Sequence, residues 1–314
     1  MGKKIAVALT GGALALTAVF ATAASAQATP AAKTASTAKV AASTANQPKP
    51  TIVLVSGAFE DSASWTGEIT KLEKTGYPVI APAVPLRGIA SDSAYLTSLV
   101  RSINGPVVLV GHSYGGLLIT EIAANDPKQV KALVYTAAFI PKAGQTANQL
   151  ITSFPGSLLG PDTTYTVNLP GGGADTYVKP ADFHALFAAD RTPAEAAVDA
   201  ATQRPVESSA LGEPVAAGVP HGIPVYAIVA SHDMAIPPAA ERSEAQAAHA
   251  IISTVSSSHD LPTSHPGAVT DVIERAHGNA AGHAGLAATA ARPARRRRPA
   301  RRAPAALASA RPAC

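Results

Sequence analysis

The stretch Pro106-Val107-Val108-Leu109-Val110-Gly111-His112-Ser113-Tyr114-Gly115 constrains this chain more than any other. An unbroken apolar run of this length suits a strand buried on both faces, as in a parallel sheet covered by helices. It runs straight into Gly-x-Ser-x-Gly, and Tyr114 to Ala124 then reads as a helix. A serine on a sharp strand-to-helix turn is pushed out into a cleft. Small residues two before and two after it let strand and helix approach closely, and the helix N-terminus faces any negative charge that develops there.

The neighbouring segments repeat the strand–helix alternation. Thr51 to Ser56, Pro78 to Ala81, Val130 to Thr136, Ile223 to Ala230 and Ile251 to Val255 read as strands. Ser62 to Thr75, Ser91 to Ile103 (with Ser91 as N-cap), Ala239 to Ala250 and Pro266 to Ala276 read as helices. This predicts an α/β fold with a mainly parallel, doubly wound sheet. Residues 141–215 break the rhythm. They suggest a hairpin of Thr163 to Leu169 with Thr176 to Lys179 across Gly171-Gly172-Gly173, then helices over Phe183 to Asp190 and Pro193 to Thr202. An insertion after a sheet strand would sit over the strand ends as a mixed cap.

The ends of the chain have a different character. Lys3 and Lys4, the apolar stretch Ile5 to Phe20 and the small residues around Ala26 read as a secretory signal over 1–26, so the expected location is secreted or periplasmic. Residues 27–50 read as a flexible linker, 51–277 as the folded domain, and 278–314 as a disordered Arg/Ala/Pro-rich tail. Eight arginines in 292–311 raise the net charge to +4; without them it is −4, and without Lys3 and Lys4 it is −6. The folded body is therefore not expected to bind nucleic acid, nor to insert stably in a membrane once the signal is cleaved. Cys314 is the single cysteine, which excludes an intramolecular disulfide and, in the body, a cysteine metal site or a cysteine nucleophile.

A serine hydroxyl needs an adjacent base, and histidine has the suitable acidity. With Ser113 on such a turn, the acid and then the histidine should follow along the chain, each just after a strand. His259 follows Ile251 to Val255 and the turn Ser256-Ser257-Ser258, and is preferred to His265; Asp233 follows Tyr226 to His232. Asp233 would fix the tautomer of His259. His112 reads as structural, His184 as a cap position, and Asp260 as pointing away from its neighbour. Two backbone donors should face the developing oxyanion: Tyr114 N–H and, from the loop Ser56-Gly57-Ala58-Phe59, Ala58 N–H.

These residues, with Trp65, Gly116 and Ile236-Pro237-Pro238, resemble bacterial α/β-hydrolases related to plant methylesterases and hydroxynitrile lyases, over residues 51–276. The resemblance implies the α/β-hydrolase fold, the nucleophile Ser113, acid Asp233 and base His259, and Ala58 and Tyr114 at the oxyanion hole. It implies no metal and no cofactor. The sequence departs from the family at Ser56, where a histidine is usual. In the plant lyases a lysine follows the catalytic histidine; here that position is Asp260.

Three readings follow. The first is an esterase-like serine hydrolase that splits small-molecule esters through an acyl-enzyme. The others are a C–C lyase on the same scaffold, against which Asp260 counts, and a binding protein without chemistry, against which the complete Ser113–Asp233–His259 set counts.

Overall fold

The computed structural model describes residues 48–290, so the stretches read as a signal and most of a linker, and the tail from 291 onward, lie outside the described residues. Six parallel strands form the main sheet: β1 (Thr51–Val55), β2 (Val79–Ile80), β3 (Val107–Ser113), β4 (Val130–Ala138), β8 (Val225–Ala230) and β9 (Ile251–Val255), in the order β2-β1-β3-β4-β8-β9. Side chains on β1 alternate between two cores. Ile52 and Leu54 join Trp65, Leu72, Val269 and Ile273 on one face, while Val53 and Val55 join Leu96, Val100, Leu117 and Ile119 on the other. That division is why the strands lack polar alternation.

The first face is covered by a short 3₁₀ turn (Ser62–Trp65), α1 (Thr66–Lys74), α8 (Leu261–Ser264) and α9 (Pro266–Ala290). The second carries α2 (Ile89–Ser102), α3 (Gly115–Asn125) and α7 (Pro238–Ala247). α9 continues to Ala290, so residues 278–290 are helical where composition suggested disorder. Alanine is abundant there and has the strongest helix preference. Ser91 is not the N-cap of α2: that place belongs to Gly88, and the Ser91 hydroxyl donates to the Gly88 carbonyl. The open N–H groups of Ile89 and Ala90 donate instead to the Glu213 carboxylate, 124 and 123 residues away, at 2.6 and 3.0 Å.

The excursion between β4 and β8 contains α4 (Ala147–Ile151), β5 (Thr164–Asn168), β6 (Ala174–Val178), α5 (Pro180–Leu186), α6 (Pro193–Thr202) and β7 (Val206–Glu207). β5, β6 and β7 form a separate antiparallel sheet. β7 is too short to carry a pattern and was not legible in the sequence. Backbone hydrogen bonds tie this excursion to the main domain at Phe59 N–H to Arg204 O (3.0 Å), Glu207 N–H to Leu86 O (2.9 Å) and Asp260 N–H to Phe187 O (2.9 Å).

Candidate active site

Strand order reverses between β1 and β3, and the crevice beyond the carboxyl ends of strands at such a point is where open α/β sheets place ligands. The Ser56–Phe59 loop leaves β1 there, and Ser113 ends β3. Ser113 has φ of 51°, in the left-handed region, so the strained turn inferred from the motif is present. A Cβ on Gly115 would lie 2.3 Å from Val55 O, and one on Gly57 2.6 Å from Ser113 Cβ. The glycines let the two loops meet.

Asp233 follows β8 and His259 follows β9. The structure brings them together: Nδ1 of His259 lies 2.6 Å from Oδ2 of Asp233, with both residues buried. The other oxygen of Asp233 accepts from the N–H groups of Ala235 (2.7 Å) and Ile236 (2.8 Å). Three donors thus hold the carboxyl group in place. Ser113, His259, Ala58 and Tyr114 line one small cavity with Phe59, Phe139, Ile151, Leu159, Leu186, Phe187, Leu211, Ala235 and Ile236. Its free volume is about 20 Å³, room for a single water and far too little for an ester. Phe59, Ile151, Leu159 and Leu211 also line an outer pocket of about 530 Å³ that carries Pro161, Tyr165 and several threonines. The Tyr114 side chain takes no part in the cavity's polarity, because its hydroxyl donates to Asp92.

His112, read as structural beside Ser113, has that part, but its partners and several other supporting contacts were not predicted. His112 is fully buried, with Nδ1 2.6 Å from Glu60 Oε2 and Nε2 2.8 Å from the carbonyl of His259. Burial alone would lower its pKa, but the Glu60 carboxylate and these hydrogen bonds outweigh it and leave it raised. His112 therefore fixes the backbone of His259 as well as the turn beside Ser113. Asp190, on the cap, accepts from the hydroxyls of Ser257 and Ser258 immediately before His259. His265 lies 3.3 Å from Asp190 and His184 bonds to the Arg191 carbonyl; neither lines the cavity. Asp260 is buried and directed toward Arg191 at 3.7 Å. Burial, with Glu60 adding to it, pushes its carboxyl up to about 8. At Ser56 the hydroxyl accepts from Trp65 Nε1 (3.0 Å) and donates to Asp61 O (3.0 Å), so it closes the first loop on itself. None of these partners was visible in the sequence, since each contact joins residues distant along the chain or depends on loop geometry. Among the described residues, no group of three or more His, Cys, Asp or Glu is arranged to hold a metal ion.

Residues 52–272 match the model of the alpha/beta hydrolase family. The chain is 31% identical over 111 residues to a carbendazim hydrolyzing esterase of Nocardioides sp. (strain SG-4G), covering 32% of this chain and 46% of that protein. It is 27% identical over 126 residues to an alpha-hydroxynitrile lyase of Arabidopsis thaliana, covering 35% and 49%. The chain thus spans about half the length of the curated relatives it matches. Among solved structures, a pyrethroid hydrolase from Sphingobium faniae JZ-2 superposes with a TM-score of 0.58 at 20% identity, covering 72% of this chain and 96% of that one, a likeness of fold.

Proposed function

The chain belongs to the alpha/beta hydrolase family, and we propose that it cleaves carboxylic esters of apolar small molecules through an acyl-enzyme on Ser113. The observation that carries this reading is the buried His259–Asp233 pair, whose His259 lines the same cavity as Ser113, itself held at a strained turn. In this scheme His259 Nε2 takes the Ser113 proton as Oγ attacks the acyl carbon. The N–H groups of Ala58 and Tyr114 receive the oxyanion. The imidazolium, paired with Asp233, then protonates the leaving alkoxide, and water attacks the acyl-enzyme by the same route in reverse.

The cavity around Ser113 is walled by aliphatic and aromatic side chains, which favours an apolar acyl or alcohol group. Phe59, Ile151, Leu159 and Leu211 line both this cavity and the outer pocket, so a substrate whose larger half rests outside would pass among these four side chains. The lyase reading is the weaker one, because the position after His259, a lysine in the plant lyases, is Asp260 here. For location, residues 1–26 are proposed as an export signal, tested by N-terminal sequencing of the protein from the culture medium or periplasm.

The test is turnover of p-nitrophenyl acetate and butyrate by the full chain and by Ser113→Ala. Loss of at least ~10³-fold in the variant is expected. Equal rates in the two proteins would overturn the assignment of Ser113, and cyanide release from a cyanohydrin without ester turnover would move the reading to the lyase.

A further inference from the structure

Behind Asp233 lies a second carboxyl that the scheme above does not use. Glu241, on α7, is 3% exposed, and Asp233 is 1% exposed. The two acids meet at the end of β8, where Ala230 N–H donates to Glu241 Oε2 and Ala230 O accepts from Asp233 N–H. Two buried carboxyls held on the same residue cannot both ionise, so one of them holds a proton. The donors decide which. Asp233 already accepts from His259 Nδ1, Ala235 N–H and Ile236 N–H. Glu241 accepts only from Ala230 N–H, at 3.3 Å on Oε2, and its Oε1 has no donor at all. A buried carboxylate with one long hydrogen bond is costly, while a carboxylic acid in the same place has a proton to give. Burial and the adjacent Asp233 both push the Glu241 pKa well up, which agrees with that count.

We propose that Glu241 is a positioning residue that stays protonated and donates a hydrogen bond to Asp233, completing a buried Glu241–Asp233–His259 chain beneath Ser113. The functional part of this inference rests on the triad reading above. With the donation in place, part of the negative charge of Asp233 is drawn toward Glu241, so His259 holds its proton less tightly than it would without Glu241. The other charged groups around these residues are Glu244 on the same helix, and His112, paired with Glu60 and 4.7 Å ring to ring from His259. Asp260 adjoins His259 in the chain. None of these is altered in the test.

The experiment is a nitrogen-15 NMR titration of the His259 ring in the full chain, assigned by comparison with His259→Gln, for the wild type, Glu241→Gln and Glu241→Leu. The amide of Glu241→Gln can accept from Ala230 and donate to Asp233, so the His259 midpoint is expected to stay where it is. If Glu241 were ionised, the same substitution would remove a negative charge and lower the midpoint by about one pH unit, and the proposal would be overturned. Glu241→Leu removes the donor and is expected to raise the midpoint by about one pH unit, with the acid limb of kcat/KM moving alike; an unchanged midpoint would also overturn it. Should the leucine variant not fold, the glutamine variant decides alone. If wild-type turnover proves independent of Ser113, the esterase reading fails, while the His259 midpoints still decide the state of Glu241.

Discussion

Glu68 offers the sharpest test of how this fold treats buried acids. It lies on α1 with none of its surface exposed, and neither carboxyl oxygen reaches another residue's donor. Burial pushes its pKa from 4.5 to about 8, with Glu60 and Asp260 adding to the rise and His112 opposing it. The sign is therefore fixed. The folded state binds this proton more tightly than the unfolded chain, so the contribution is fully present below pH 4.5 and is lost as pH rises through about 8. A span of that size corresponds to stability on the order of 5 kcal/mol lost once Glu68 is fully ionised. Glu68→Gln keeps the shape and polarity of the neutral acid but cannot ionise. Urea unfolding at pH 5, 7 and 9 should show wild type and variant nearly equal at pH 5, and the variant more stable by several kcal/mol at pH 9. Glu68→Leu should show the same divergence on top of a gain of roughly 1–3 kcal/mol at every pH, from removing an unpartnered polar group. Because Glu244 and Asp260 titrate in both proteins, the difference isolates Glu68. Parallel stability curves for wild type and Glu68→Gln would refute the reasoning.

Glu213→Ala should cost about 1–2 kcal/mol in urea unfolding, because it strips the N-terminus of α2 of the carboxylate that accepts from Ile89 and Ala90. Gly115→Ala should cost more than about 3 kcal/mol, or prevent folding, since the added methyl would sit 2.3 Å from the Val55 carbonyl with backbone on both sides; thermal denaturation by circular dichroism reads both. Asp233→Asn, with the fold intact, should lower ester kcat by about 10⁴, because the amide favours the wrong imidazole tautomer of His259.

The parts of the site that could be read from the sequence are those that depend on local pattern. Val107 to Val110 followed by Gly111-His112-Ser113-Tyr114-Gly115 announces its own strand, turn and helix, and the strand runs over Val107–Ser113 with the helix from Gly115. Asp233 and His259 could be picked because each lies a few residues after a strand that is recognisable from its apolar run, and the structure sets their side chains 2.6 Å apart. What remained hidden depends on pairing across the fold. Glu60 and His112 lie 52 residues apart, Asp190 and Ser258 68 apart, and Glu213 caps a helix 124 residues upstream. No local pattern reports such contacts, and a glutamate that will be buried is written like one that will face water.

That ambiguity matters most on α7, where Glu241 and Glu244 would pass for the solvated face of an amphipathic helix. Both are buried in the fold. The charge state of each acid then follows from how many donors the surrounding backbone offers it. Asp233 has three, Glu241 has one, and Glu244 has only the Ile140 N–H at 2.7 Å, with burial raising it to about 8. Three like charges this close together could not all persist in so dry a region. The loop Asp233–Ile236 turns two consecutive amides onto a single carboxylate oxygen, and so selects Asp233 as the site of the negative charge. The acid that faces His259 is thus distinguished from its neighbours by the local turn after β8, and a variant that kept Asp233 but removed those two amide donors should lose the distinction.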